Sequence, residues 1–200
     1  NWNFSLLDCR SLTTVKITGK GNMTNICDEA FKGCTSLTSV SIPSTVTSMG
    51  KSAFQGCSSL KDFSVPYSVT SIGQYAFRGC SSLTNFNIPN LNKIEDSTFE
   101  GCTSMQWVLC NSPMTSVGNS AFARCSKLTS TVNMIGSNTT MGSSVFKDCK
   151  SLKNITLPET MTSLPSETFT GCTSLSSISL PLGLTSIGSN AFDGCSSLEK

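Results

Sequence analysis

The sequence contains no histidine, and only 13% of its 200 residues are charged. Histidine is the most frequent general base in enzymes and the usual activator of serine and cysteine nucleophiles. The chain also lacks the Gly-x-Ser-x-Gly motif that presents a nucleophilic serine. Its 12 acidic residues are scattered, which is typical of solvated surface charge. These absences predict that the protein is not an enzyme.

Metal and cofactor motifs are missing as well. The 11 cysteines include no Cys-x-x-Cys pair, and no histidine could complete a zinc site with them. We therefore expect no metal site, no cofactor and no catalytic residue.

Low charge also limits the range of partners. The formal net charge is +2, so the chain has no electrostatic basis for binding nucleic acid. No apolar run approaches the length that spans a bilayer, so we expect no direct membrane insertion.

A repeat organises the chain from one end to the other. Eight cysteines recur at intervals of 22 to 24 residues, and Cys9 begins a degenerate repeat before them; the eight are Cys34, Cys57, Cys80, Cys102, Cys125, Cys149, Cys172 and Cys195. A period in this range is the signature of a solenoid, in which each coil packs on the next.

Each repeat begins with a fixed set of apolar residues. Around Cys57, a phenylalanine (Phe54) lies three residues before and a leucine (Leu60) three after. Apolar residues then alternate with polar ones, as at Phe63 and Val65, which predicts a strand with one buried face. Equivalent strands of successive coils should pair in parallel.

The second half of each repeat contains a corner, a short strand and a turn. Pro66 ends the first strand, and Val69 and Ile72 predict a short second strand. Gly73 and its equivalents are expected to adopt a positive φ. The Ser/Asn-x-Ala-Phe-x-Gly segment has polar capping types before it and glycine after it, which predicts a single helical or 3₁₀ turn.

The run Gly-Cys-Ser-Ser-Leu-x-x-Phe-x-Val/Ile-Pro-x-x-Val-Thr-Ser-Ile-Gly-x-x-Ala-Phe resembles the BspA-like branch of the leucine-rich repeats. The resemblance covers essentially the whole chain, and it implies a right-handed leucine-rich-repeat solenoid. The family occurs on bacterial and protist surfaces and includes adhesins, which implies an extracellular recognition role. We expect one repeat array over residues 1–200, with about nine coils, as part of a longer chain.

The regular spacing of the cysteines does not favour disulfides. Side chains in the same column of adjacent coils point in the same direction, and this geometry suits a disulfide bridge poorly. We expect a ladder of buried thiols that pack as small apolar side chains, and no disulfide.

The outward residues of the first strands form a flat face that is rich in Ser, Asn and Thr. Trp107 and Leu109 interrupt it at outward positions, and an exposed aromatic residue beside an aliphatic one is a candidate binding spot. The predicted site also includes Asn85, Asn87, Thr131 and Asn133. A local shift of strand register, or a covering loop, is the alternative explanation of these two apolar residues.

Two functions agree with this architecture. The first is non-enzymatic recognition or adhesion, in which a protein at the cell surface or outside the cell binds a protein or glycan through its strand face. The second is a structural role, either as a spacer or as a filament subunit that associates end to end.

Overall fold

The structure is a computed structural model that describes residues 5–18 and 22–199. These residues form a parallel β-solenoid of about seven turns and contain no helix. The sequence-based count of about nine coils included the incomplete first and last repeats. Over the same ranges, no helix has the length and apolar character that a membrane crossing requires. The strands are β1 (Thr14–Lys16), β2 (Asn25–Ile26), β3 (Ser39–Ser41), β4 (Ser48–Met49), β5 (Ser71–Ile72), β6 (Asn85–Ile88), β7 (Lys93–Ile94), β8 (Trp107–Cys110), β9 (Ser116–Val117), β10 (Ser130–Val132), β11 (Thr140–Met141), β12 (Ser163–Leu164) and β13 (Ser186–Ile187).

Equivalent strands of successive coils pair in parallel, as predicted. On one side of the solenoid β1 pairs with β3, and β6, β8 and β10 form a three-stranded sheet. The short second strands form the other sheets, β2-β4-β5, β7-β9-β11 and β12-β13. In some coils the first strand is reduced to a single bridge, as between Ser39 and Asp62 or between Thr156 and Ser179.

A column of stacked phenylalanines runs through the core. Eight rings, from Phe31 to Phe192, stack with centroid separations of 5.1 to 5.9 Å and with planes within 15° of parallel. Phe63 and Phe86 meet this column edge-on. Both arrangements are favourable for aromatic rings, and each pair adds about 0.5–1.5 kcal/mol beyond burial.

The cysteine column lies beside the phenylalanines and is hydrogen-bonded. Each thiol donates to a backbone carbonyl of the preceding coil, as Cys57 Sγ does to Phe31 O at 3.1 Å and Cys80 Sγ to Phe54 O at 3.2 Å. The predicted buried ladder is therefore present, with a polar role that the sequence did not reveal. The cysteines of this column form no disulfides with one another.

The turn segment is not a helical or 3₁₀ turn, so that prediction is wrong. In residues 51–56, Ser52 has φ +57° and Gly56 has φ +75°, and a left-handed residue interrupts any right-handed helix. Alternate N–H groups also point to the next coil, because Phe54 N donates to Ala76 O and Gly56 N to Arg78 O. The capping residue types therefore stabilise an inter-coil ladder instead of a helix.

The glycine after each second strand serves close packing, not a positive φ. Gly73 has no left-handed φ, and a Cβ there would lie 2.6 Å from the backbone nitrogen of Lys51 in the preceding coil. The left-handed glycines instead lie directly before the cysteines, as Gly56 and Gly79 do.

Removing one ring from the phenylalanine column should cost far more than removing an exposed ring. Phe99 stacks on Phe77 and Phe122, so we expect Phe99→Ala to lower the free energy of unfolding by about 3–5 kcal/mol. Tyr67 is 72% exposed, and Tyr67→Ala should change it by less than about 0.5 kcal/mol. Urea denaturation followed by circular dichroism measures both values, and equal losses would contradict the stacked core.

The buried thiols should make stability fall at alkaline pH. Burial raises the pKa of Cys57, Cys110 and Cys172 to about 12, whereas unfolded thiols ionise near 9.0. Below about pH 9 each thiol is neutral in both the folded and the unfolded protein. Above about pH 9 the thiol of the unfolded protein loses its proton, whereas the buried thiol of the folded protein keeps it. The free energy of unfolding then falls by about 1.4 kcal/mol per pH unit for each such thiol, until the pH reaches the folded pKa.

Urea titrations between about pH 8 and about pH 10.5 would measure this decline. Cys57→Ala is the matched control, because it is less stable at the lower pH but has one titrating thiol fewer and so a shallower slope. An identical slope in both proteins would contradict this assignment.

Candidate functional site

The three-stranded sheet β6-β8-β10 carries the candidate site on its outer surface, which we call the outer β-face. Its inward residues are fully buried: Phe86 and Ile88 on β6, and Val108 and Cys110 on β8. Because side chains alternate along a strand, the residues between them point to solvent. They are therefore not needed for the core.

Trp107 and Leu109 lie on the outer β-face, as predicted. Parallel pairing places Asn85 beside Trp107 and Asn87 beside Leu109. Both asparagines are exposed, and 38% of the Trp107 surface is accessible. These four predicted residues therefore form one contiguous surface on two adjacent strands.

The third strand has a different register from the one predicted. Ser130 pairs with Trp107, Thr131 with the buried Val108, and Val132 with Leu109. The outward residues of β10 are thus Ser130 and Val132, and the placement of Thr131 on the outer β-face is wrong. Val132 is 42% exposed.

An inserted residue explains the error. The interval between Cys125 and Cys149 is 24 residues, and an outward Thr131 and Asn133 would require the extra residue to precede the strand. It follows the strand instead, at Asn133, whose φ of +57° lets the chain return Met134 to the core. Asparagine tolerates this conformation better than most residues. Asn133 is exposed but lies beyond the end of β10.

Two rows of side chains therefore cross the sheet. One row contains Asn85, Trp107 and Ser130, and the other contains Asn87, Leu109 and Val132. Other coils present small polar residues at these positions, such as Ser39 and Ser41 on β3. Trp107, Leu109 and Val132 are consequently a local apolar patch, flanked by the two asparagine amides.

The chemistry of this surface suits binding. No outward residue of β6, β8 or β10 is charged or has a shifted pKa, so the surface holds no general acid or base. The asparagine amides donate and accept hydrogen bonds, and the indole offers an aromatic face. Across the described parts of the chain, no cluster of three or more Asp, Glu, Cys or His side chains could hold a metal ion.

Sequence and structure comparisons place this architecture among known proteins. The sequence profile of the BspA type leucine rich repeat region matches residues 3–129 and 92–200, with six copies. No curated protein is significantly similar in sequence.

Several solved structures have the same fold. A leucine-rich repeat protein of T. pallidum is 24% identical with a TM-score of 0.62, and the match covers 94% of this chain and 78% of that one. A leucine-rich cell surface protein from Faecalibacterium prausnitzii is 28% identical with a TM-score of 0.59, over 96% of this chain and 59% of that one. A leucine-rich repeat protein from Eubacterium ventriosum is 25% identical with a TM-score of 0.62, over 98% and 46%.

This chain thus spans about half the length of the last two proteins. The profile matches cover nearly every residue, and the coils carry the phenylalanine, cysteine and leucine columns of the repeat. The chain belongs to the BspA-type family of leucine-rich repeat proteins.

Proposed function

We propose that the protein is a non-enzymatic recognition module at the cell surface, and that it binds a protein or glycan ligand through the outer β-face. The observation that carries this proposal is the apolar patch of Trp107, Leu109 and Val132 on an otherwise small and polar surface. Leucine-rich repeat proteins generally mediate protein interactions, and one structural relative is described as a cell surface protein.

The composition of the patch supports an energetic role in binding. Tryptophan is enriched among residues that dominate binding energy, especially where polar neighbours surround it. Here the asparagines lie on one side of Trp107 and Leu109, and Ser130 lies on the other. A ligand could bury the indole and still form hydrogen bonds with the asparagine side-chain amides.

The patch is also dispensable for folding. Its inward neighbours Val108 and Cys110 are fully buried, and equivalent coils fold with serine at the outward positions. Selective pressure for stability alone does not require an indole at this position. Substitutions here should therefore separate binding from folding.

Truncating the patch should remove binding and leave the fold intact. We expect Trp107→Ala and Leu109→Ser to weaken adhesion to the ligand by about tenfold or more each, and Val132→Ser to weaken it as well. Surface adhesion assays on a glycan array and on immobilised extracellular glycoproteins would measure this. Tyr67→Ala is the matched control, because it removes an exposed ring elsewhere.

Tryptophan fluorescence tests whether a glycan ligand contacts Trp107. The chain has two tryptophans, so Trp2→Phe leaves Trp107 as the only indole. A sugar that stacks on the indole should shift its emission, whereas a glycan that binds without any shift would contradict stacking at Trp107. Unchanged adhesion in all three patch variants, with normal circular dichroism, would exclude the outer β-face as the site.

A further inference from the structure

The position directly before the repeating cysteine holds a residue other than glycine in two successive central coils, as it also does at Asp8 in the degenerate first repeat. In six coils it is a glycine with φ between +73° and +76°. Arg124 and Asp148 occupy it with φ of +63° and +59°, a conformation that non-glycine residues rarely adopt. Glycine occupies this position in six other coils, so the backbone does not require the arginine side chain of Arg124.

The Arg124 side chain is held in place by a buried carboxylate. Its guanidinium forms an ion pair with Glu100, whose side chain is only 10% exposed. The other oxygen of Glu100 forms an ion pair with Arg78 Nε at 3.0 Å. Arg124 itself is 59% exposed and has five N–H donors, so several remain for a ligand.

A recess of about 300 Å³ opens beside Arg124, and we call it the Arg124 recess. It exists because Ala123 is short, whereas the equivalent residues in neighbouring coils are the long Glu100 and Lys147. Ser120 and Ser144 also line it. The recess lies on the turn side of the solenoid, in residues separate from the outer β-face.

Two of the three carboxylates that line this recess are already paired with cations. Glu100 is paired with two guanidiniums. Glu167 accepts hydrogen bonds from Lys147 Nζ at 2.8 Å and from Ser144 Oγ at 3.0 Å, and these contacts lower its pKa. The Asp148 carboxylate is directed over Gly171 of the next coil.

We propose that the Arg124 recess binds the carboxylate of an acidic sugar unit. Arg124 would receive the carboxylate in the two-pronged geometry that guanidinium groups favour, with Lys147 and Ser120 as further donors. The carboxylates at the rim, Asp148 and Glu167, suit the hydroxyl donors that surround a sugar acid group. An acidic peptide, which carries several like charges, would meet those same rim carboxylates unfavourably.

Calorimetry with glucuronate and with 3′-sialyllactose, each of which carries a single carboxylate, tests the proposal. We expect at least one of them to bind, and the methyl ester of the same sugar, which lacks the charge, to bind about tenfold more weakly or not at all. Failure of both sugars to bind, or equal binding of the ester, would overturn the proposal. Equal displacement by inorganic sulfate or by an acidic peptide would also overturn it.

Arg124→Gly is the decisive variant. It restores the residue that six other coils have and leaves Arg78 as a partner of Glu100, so the variant should fold with an unchanged circular dichroism spectrum. Its affinity for the acidic sugar should nevertheless fall by about tenfold or more. Lys153→Gln removes the same charge elsewhere and should change the affinity less than about twofold.

The affinity of the Arg124 recess for the acidic sugar should not depend on the residues of the outer β-face. Trp107→Ala should bind the acidic sugar as the unaltered protein does, because Trp107 is not among the residues that line the recess. Unchanged affinity in Arg124→Gly, or an equal loss in Lys153→Gln, would show that the recess is not the site.

Discussion

Contact between identical side chains in successive coils is the interaction on which the rest of the structure depends. The phenylalanine rings stack at 5.1 to 5.9 Å, and the thiols of the eight repeating cysteines, from Cys34 to Cys195, donate to a carbonyl one coil earlier. Neither contact can form within one coil. Stability therefore comes from interfaces between neighbours, as in other solenoids, and outward side chains are free of any structural requirement.

The turn segments show how the backbone adapts to this stacking. A helical turn would direct its N–H groups along its own axis, whereas here they alternate toward the next coil, as Phe54 N and Gly56 N do. Two left-handed residues in each turn make this possible. Small and polar residues tolerate that backbone best, so a bulky residue such as Arg124 stands out against its own repeats.

Both proposed sites lie in the same irregular part of the array. Trp107, Leu109 and Val132 alter the outer β-face, and Ala123 and Arg124 alter the turn side of nearby coils. The other coils keep the pattern and serve as an internal reference for what the fold requires. Residues that differ from the repeat pattern, and that the fold does not require, are therefore the best candidates for ligand recognition.

The repeat period and the apolar columns by themselves determined the parallel solenoid, the short second strands, the buried thiols and the outward positions of Trp107 and Leu109. These features are local and recur in every coil, so the sequence pattern is sufficient. Only the tertiary structure decided the turn conformation, the reason for glycine at Gly73, and the register of β10. Each of these depends on the neighbouring coil: it accepts the hydrogen bonds of the turn, leaves no room for a Cβ, and aligns Thr131 with Val108.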